Sequence, residues 1–261
     1  MDAAGMLLDV VFDPFDGDWP GVRAGAIAAE ASGFDGVWVW DHLAGSIHGA
    51  RGVLECWTTI TAIAASVPRI AVGPMVLNVA NRDAGTLAVM AATLQEVSEG
   101  RLLLGIGAGG GLDTPYAAEQ VALGRPVHGS ARRRADVEAA VGQLRAVWSG
   151  SIGGASGFLR PDPAPPIVVG AFGPRMAELA GRVGDGVNAR PGPGLPDLLR
   201  IARDACARSG RDPADFVVTV SADPSARTRA RLAALGVDRV VTYVAPPYAD
   251  GVERVRRLRD A

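Results

Sequence analysis

An α/β barrel of eight parallel strands, each followed by a helix, is what this 261-residue sequence predicts. Three observations lead there. Short apolar, β-rich runs recur, and most are followed by an Ala-rich stretch with helical spacing. Many of these runs lack the polar/apolar alternation of a half-exposed sheet, and continuous apolar runs are what strands covered on both faces require. Eight such runs favour a closed (β/α)8 (TIM) barrel over an open sheet, and a barrel of about 250 residues is of ordinary size.

The strands are read at 7–12, 36–40, 70–77, 102–106, 167–169, 186–188, 216–221 and 239–244. Between the first two, Asp18 is an N-cap and Pro20 a tolerated first-turn proline. That helix runs through Ala24, Ile27, Ala28 and Ala31 to Gly33, a natural C′ glycine. Further helices are expected at 57–65, 86–98, 133–148, 174–182, 196–209 and 225–235, and a Gly/Ser/Pro-rich loop at 150–166. The charge run Arg132–Arg134 reads as a solvated helix start. Trp38, Trp40, Trp57 and Trp148 read as core or interface. No internal repeat or composition shift marks a boundary, so residues 1–261 are expected to form one domain.

Composition removes several function classes. The formal net charge is −2 and all 26 basic residues are Arg, so no basic field is available for nucleic acid or anionic membrane. Two cysteines, Cys56 and Cys206, are too few for a disulfide framework and lack zinc-site spacing. No run of 18 apolar residues spans a membrane, and no signal-type segment opens the chain, so a soluble, cytoplasmic protein is expected. G-x-S-x-G, H-E-x-x-H and a P-loop lysine are all missing, which removes the commonest hydrolase and NTPase readings.

In a strand–helix barrel the chemistry sits at the carboxyl ends of the strands. Asp41 and His42 follow the second strand; Asn78 and Arg82 follow the third. Gly105-Ile106-Gly107-Ala108-Gly109-Gly110-Gly111 closes the fourth, and Gly170-Ala171-Phe172-Gly173-Pro174 links the fifth to a helix. The fourth-strand glycines formally contain G-x-G-x-x-G. Three strand–helix units precede them, however, and no helix follows directly, so they are either a tight turn or a place where a ring or phosphate nears the backbone. The fifth-strand turn is the better phosphate candidate, because helix N–H groups and dipole both favour an anion there; a plain connecting loop is the alternative. His42, one of three histidines, stands at a strand end beside an acid, where it could act as acid, base or donor or simply be solvated. With His48 and His128 it makes no metal spacing.

At these residues the chain resembles the luciferase-like monooxygenase superfamily, on the branch that uses the deazaflavin coenzyme F420. The matching stretches are Ala-Ala-Glu-Ala-Ser-Gly-Phe-Asp at 28–35, Val-Trp-Val-Trp-Asp-His at 37–42 and Leu-Glu-Cys-Trp at 54–57. Ser-Glu-Gly-Arg-Leu-Leu-Leu-Gly-Ile-Gly-Ala-Gly at 98–109, Arg133 with Val137-Glu138, and Ile-Val-Val-Gly-Ala at 167–171 continue it. Ala-Gly-Arg-Val-Gly-Asp-Gly at 180–186 and Gly-Val-Asp-Arg-Val-Val at 236–241 complete it.

The resemblance implies a luciferase-like barrel, a homodimer, holding F420 or, alternatively, FMN at the strand ends. Asp41, Asn78, Gly107, Ala108 and Gly109 would line the deazaflavin and its ribityl chain. Gly170, Ala171, Phe172 and Gly173 would hold the phosphate. Met75-Val76 falls where relatives carry a non-prolyl cis peptide backing the ring, and His42 matches the histidine near the reacting ring carbon. The implied activity is hydride transfer between F420 and a small organic substrate; an FMN-dependent monooxygenase and a non-catalytic cofactor- or partner-binding barrel are the alternatives. The chain also departs from the family. Gly110 stands where sugar-phosphate dehydrogenases carry a Glu, Ser46 where a Trp is expected, and Arg82-Asp83-Ala84 lacks the usual proline. The loop insertions that cover the substrate pocket are short.

Overall fold

The computed structural model describes residues 5–261. The chain runs β1 (Leu7–Phe12), α1 (Trp19–Ala31), β2 (Gly36–Val39), α2 (Cys56–Ser66), β3 (Ala71–Pro74), β4 (Leu77–Asn78), α3 (Ala84–Val97), β5 (Leu104–Gly107), α4 (Ala117–Ala122) and α5 (Ser130–Ser149). It continues with β6 (Ile167–Ala171), α6 (Pro174–Val183), β7 (Gly186–Ala189), α7 (Leu195–Arg208), β8 (Val217–Ser221), α8 (Ala226–Ala233), β9 (Arg239–Val244) and α9 (Tyr248–Asp260). All strand pairs are parallel, in the order β3-β2-β1-β9-β8-β7-β6-β5-β4.

The third expected strand is therefore two pieces, and they stand at opposite ends of that order. The run breaks at Met75–Val76, just after Pro74, which has no N–H to continue a ladder. β3 pairs with β2 and β4 with β5, while a parallel bridge between Val72 and Leu102 joins the two sides. The barrel thus closes around eight strand positions. Segment 150–166 carries no helix or strand, as expected. Among the described residues, no helix is long and apolar enough to cross a membrane.

Capping follows the chemistry of the residues. Asp18 accepts the Gly21 N–H at 2.8 Å at the start of α1, and Gly33, with φ +73°, ends it. Asp83 accepts the Thr86 N–H at 2.8 Å, so α3 begins earlier than its apolar spacing suggests. Two helices, α4 and α9, go beyond the sequence reading. α9 packs against α1 and buries Tyr248, Gly251, Val252 and Val255, a stripe that its many arginines mask. The Tyr248 hydroxyl donates to the Asp13 carbonyl at 2.6 Å, fixing α9 to the end of β1.

Alternate strand residues divide two cores. Val10 and Phe12 face the helices, whereas Val11, Trp38, Met75 and Val241 pack together inside the barrel, with Trp40, Val76 and Leu103 against them. Below this inner cluster lies a buried ion pair. Arg239 Nε and Nη2 donate to the two oxygens of Asp9 at 2.7 and 2.8 Å, and Trp38 Nε1 donates to Asp9 Oδ2 at 2.8 Å. Gly36 makes room for it, since a Cβ there would stand 2.8 Å from Asp9 Oδ1. Replacing Arg239 by Met strands the Asp9 charge in the barrel. Urea denaturation is expected to show a loss of about 3–5 kcal/mol, and the D9L/R239M pair, which removes both charges, to lose clearly less.

Candidate active site

Loops at the carboxyl ends of the strands bring the sequence-selected residues together in neighbouring groups. Asp41 follows β2 and is buried. Its Oδ1 and Oδ2 accept from the two Nη atoms of Arg82 at 2.8 and 3.0 Å, and Oδ2 also takes the Asn78 N–H at 2.8 Å. Arg82 reaches Glu55 as well, whose carboxylate caps α2 by accepting the Trp57 and Thr58 N–H groups at 3.0 and 2.7 Å. Burial pushes the Arg82 pKa down, but the hydrogen bonds and charges of Asp41 and Glu55 outweigh it and the pKa is raised.

His42 stands next to this knot, partly exposed. Its Nδ1 lies 3.1 Å from Oε1 of Glu119 on α4. Its ring sits among aromatic neighbours, with Phe15, His48 and Tyr116 at centroid distances of 5.0, 5.2 and 5.9 Å. Glu119 is buried, which pushes its carboxyl pKa up, yet the His42 hydrogen bond and charge and the Leu43 and Ala44 N–H groups bring it below the ordinary 4.5.

Inside the mouth, the Met75–Val76 peptide is cis. Val76 fills the room left by the strand-end glycines: a Cβ on Gly107 or Gly170 would stand 2.7 or 2.9 Å from its Cγ2. Met75 Sδ lies 3.9 Å from both Asn188 Nδ2 and Ser221 Oγ. Asn78 lies against Gly109, whose φ is +63° and whose Cβ would meet the Asn78 side chain at 2.5 Å. What nears these glycines is thus the chain's own Val76 and Asn78. Asn78 Nδ2 donates to Gln120 Oε1 at 3.0 Å, so α4 holds the ends of both β2 and β4.

Gly170, Ala171, Phe172 and Gly173 form the turn from β6 into α6. Gly173 caps α6 without any side-chain acceptor, Pro174 opens the helix, and nothing stands within 4 Å of where a Gly173 Cβ would be. Phe172 is 62% exposed, and the Arg190 guanidinium at the end of β7 lies 4.0 Å over its ring. The turn is open space beside a cation; Pro174 has no N–H and Met176 and Ala177 donate to the Gly173 carbonyl, which leaves the Arg175 N–H of the first turn to face an anion there.

The family model for luciferase-like monooxygenases matches residues 12–261. The chain belongs to that family. A curated relative, the F420-dependent glucose-6-phosphate dehydrogenase of Beutenbergia cavernae, is 33% identical over 76% of this chain and 63% of its own length. The 5,10-methylenetetrahydromethanopterin reductase of Methanolobus tindarius is 29% identical over 83% of this chain and 64% of its own. This luciferase-like chain therefore spans less than two thirds of the length of either relative. Its fold is also that of an F420-dependent secondary alcohol dehydrogenase solved with an F420-acetone adduct, with a TM-score of 0.81 at 16% identity, covering 99% and 98% of the two chains.

Two features of this luciferase-like site lie beyond the sequence reading. Glu119 is 77 residues from His42, on a helix too short to show a period. Arg133, expected to be solvated, reaches back from α5 to the carbonyls of Gly109 and Ala108 and holds the glycine turn. Only Arg132 of that run pairs within its own helix, with Asp136 at 2.7 Å. The missing acid at position 110 also has a local cause: a Cβ on Gly110 would stand 2.5 Å from Thr114 Oγ1 and 2.7 Å from Tyr116 Cβ.

Burial pushes the Glu55 pKa up, and the Thr58 and Trp57 N–H groups with Arg82 bring it below 4.5, as Glu119 is brought down by its own partners. A carboxyl depressed on folding contributes stability that is complete above its unfolded value and lost as pH falls through the folded one. Thermal melts between pH 7 and pH 3 are expected to show Tm falling on the acid side of about 4.5, and Glu55→Gln to flatten that fall.

Proposed function

We propose that this chain binds the deazaflavin F420 at the strand-end mouth and supports hydride transfer between it and a small organic substrate. The observation that carries the reading is the open, uncapped β6–α6 turn beside Arg190, in a chain whose family relatives include proteins named as F420-dependent. The residues present fit a phosphate-bearing flavin-type group. Gly170, Ala171, Phe172 and Gly173 would hold the phosphate with backbone N–H groups, assisted by Arg190. Asn78, Gly107, Ala108 and Gly109 would line the ring and ribityl chain, with Met75 and Val76 behind the ring. Asp41, whose oxygens are engaged by Arg82 and the Asn78 N–H, acts by holding Asn78 and His42 in place. Bound there, F420 supplies a two-electron hydride carrier, and the protein supplies position and proton.

His42 is the proton-handling group. Its Nδ1 is engaged by Glu119, so the proton accompanying the hydride is exchanged at Nε2. Fluorescence titrations with F420 and, separately, FMN are expected to show tight F420 and weak FMN binding. The reverse order moves the protein to the FMN-dependent monooxygenases, and binding of neither leaves a non-catalytic barrel. In the F420-binding protein, His42→Ala is expected to lower kcat by about 10²–10⁴-fold with the F420 Kd unchanged.

The homodimer belongs to the same proposal. α2 contains no charged residue and α3 only Glu96, and the two helices are neighbours. Their outward positions include Thr58, Ala65, Thr86, Val89, Thr93 and Val97, whereas α9 presents Arg254, Arg256, Arg257 and Arg259. A nearly uncharged outer face of small, threonine and valine side chains on two adjacent helices is suited to a second copy packing with the same face in an isologous contact. Sedimentation velocity is expected to give a dimer, and a Val89→Arg/Thr93→Arg variant a monomer of unchanged secondary structure; a native monomer would discard this arrangement.

A further inference from the structure

We propose that Glu119 is a positioning residue that holds His42 in the Nδ1–H tautomer and so presents a bare Nε2 to the substrate; the use made of Nε2 rests on the function proposed above. Three observations carry this. The first is geometric: Glu119 Oε1 lies 3.1 Å from His42 Nδ1, with the Glu119 side chain 6% and the His42 side chain 17% exposed. Glu119 is the one hydrogen-bond partner of the His42 ring among the described residues. The second is chemical. Glu119 is kept ionised, because the His42 hydrogen bond and the Leu43 and Ala44 N–H groups outweigh burial. An ionised carboxylate only accepts, so Nδ1 must be the donor and the other nitrogen of a neutral imidazole the acceptor. That is the reverse of the Nε2–H form that prevails for histidine in water.

The third observation is how Glu119 is itself fixed. Its Oε1 also takes the Ala44 N–H at 3.3 Å, tying the carboxylate to the backbone two residues beyond His42. The next residue, Gln120, is pinned from both sides, accepting from Asn78 Nδ2 at 3.0 Å and donating to the Pro126 carbonyl at 2.7 Å. Ring rotation is limited by Phe15, His48 and Tyr116, none of which offers His42 a hydrogen bond. Glu119 therefore decides which nitrogen carries the proton.

Two-bond ¹H–¹⁵N spectra of the histidine rings, recorded on the full chain without cofactor, test this directly. Wild-type His42, assigned by its loss in His42→Ala, is expected as the Nδ1–H form, and Glu119→Ala as predominantly Nε2–H. Should Glu119→Ala fail a urea-melt check of folding, the isosteric Glu119→Gln is read instead, with both tautomers expected in comparable amounts. A wild-type ring in the Nε2–H form, or an Nδ1–H form that survives unchanged in the folded variants, overturns the assignment and leaves Glu119 as an anchor of α4. In the F420-loaded enzyme, Glu119→Gln is expected to lower kcat only about twofold, and Glu119→Ala, with the competent tautomer reduced to a minor form, to lower it by about 10–100-fold without changing the F420 Kd. Glu119→Asp is expected to restore part of it, and an unchanged kcat also overturns the proposal. Failure of the wild-type chain to bind F420 would instead fall on the proposed function, because the tautomer is read without it.

Discussion

The arrangement at the mouth of this barrel depends on the buried ion pair between Asp41 and Arg82. A carboxylate with no exposed surface survives there because each of its oxygens is claimed, one by an Arg82 Nη and the other by the second Nη and the Asn78 amide. The cost of taking two charges out of water is offset only by such bidentate geometry with the remaining lone pairs engaged. Glu55 adds a second carboxylate to Arg82 while capping α2 with its other contacts. The end of β2, the turn after β4 and the start of α2 are thereby tied across the place where the third strand breaks. His42 and Asn78 inherit their positions from that tie, one as the residue after Asp41 and the other through its own backbone N–H.

The interior of the barrel shows why the break is tolerated. Pro74 stands in β3 opposite Val39, Met75 still donates to the Val39 carbonyl at 2.8 Å, and with no N–H on Pro74 for its other side the chain leaves the ladder there and resumes at Leu77 against β5. The residues in between are not wasted. Met75 completes the inner cluster with Val11, Trp38 and Val241, and Val76 occupies the space left empty by Gly107 and Gly170. Strand-end glycine in this fold is first a packing device, admitting a β-branched side chain to the barrel axis. Met75 Sδ lies 3.9 Å from Asn188 Nδ2 and from Ser221 Oγ, and Trp40 stacks on Tyr243 at 5.1 Å.

Much of this was legible in the residues, and the parts that were not share a cause. Strands buried on both faces announce themselves as unbroken apolar runs, so Leu7–Phe12 and Arg239–Val244 carry the expected bounds and the others differ by a few residues, except the third, which divides into β3 and β4. The polar strand-end residues were legible because barrel topology fixes where strand ends point. Interactions across long separations were not: a short segment such as Ala117–Ala122 has no period to read, and a Glu 77 residues from a His has no spacing rule. Arg133 is illegible for the opposite reason: local charge density suggests solvation, while the packing of α5 aims that one guanidinium at the glycine turn. Tyr248 was hidden by the arginines that follow it on the outer face of α9.

The β5–α5 connection joins these threads. After the glycine turn the chain folds back so closely that Thr114 and Tyr116 occupy the space a side chain on Gly110 would need. The same fold-back brings Tyr116 beside His42 and sets α4 with Glu119 and Gln120 toward the ends of β2 and β4. An acid at 110 and an α4 in this position are therefore alternatives, because a side chain at 110 would push the segment away from the strands. The carboxylate that this stretch contributes stands at 119, facing the Nδ1 side of His42. A connection folded back in this way has no room for an acid on its glycine turn and carries instead a clamp that holds the imidazole from behind.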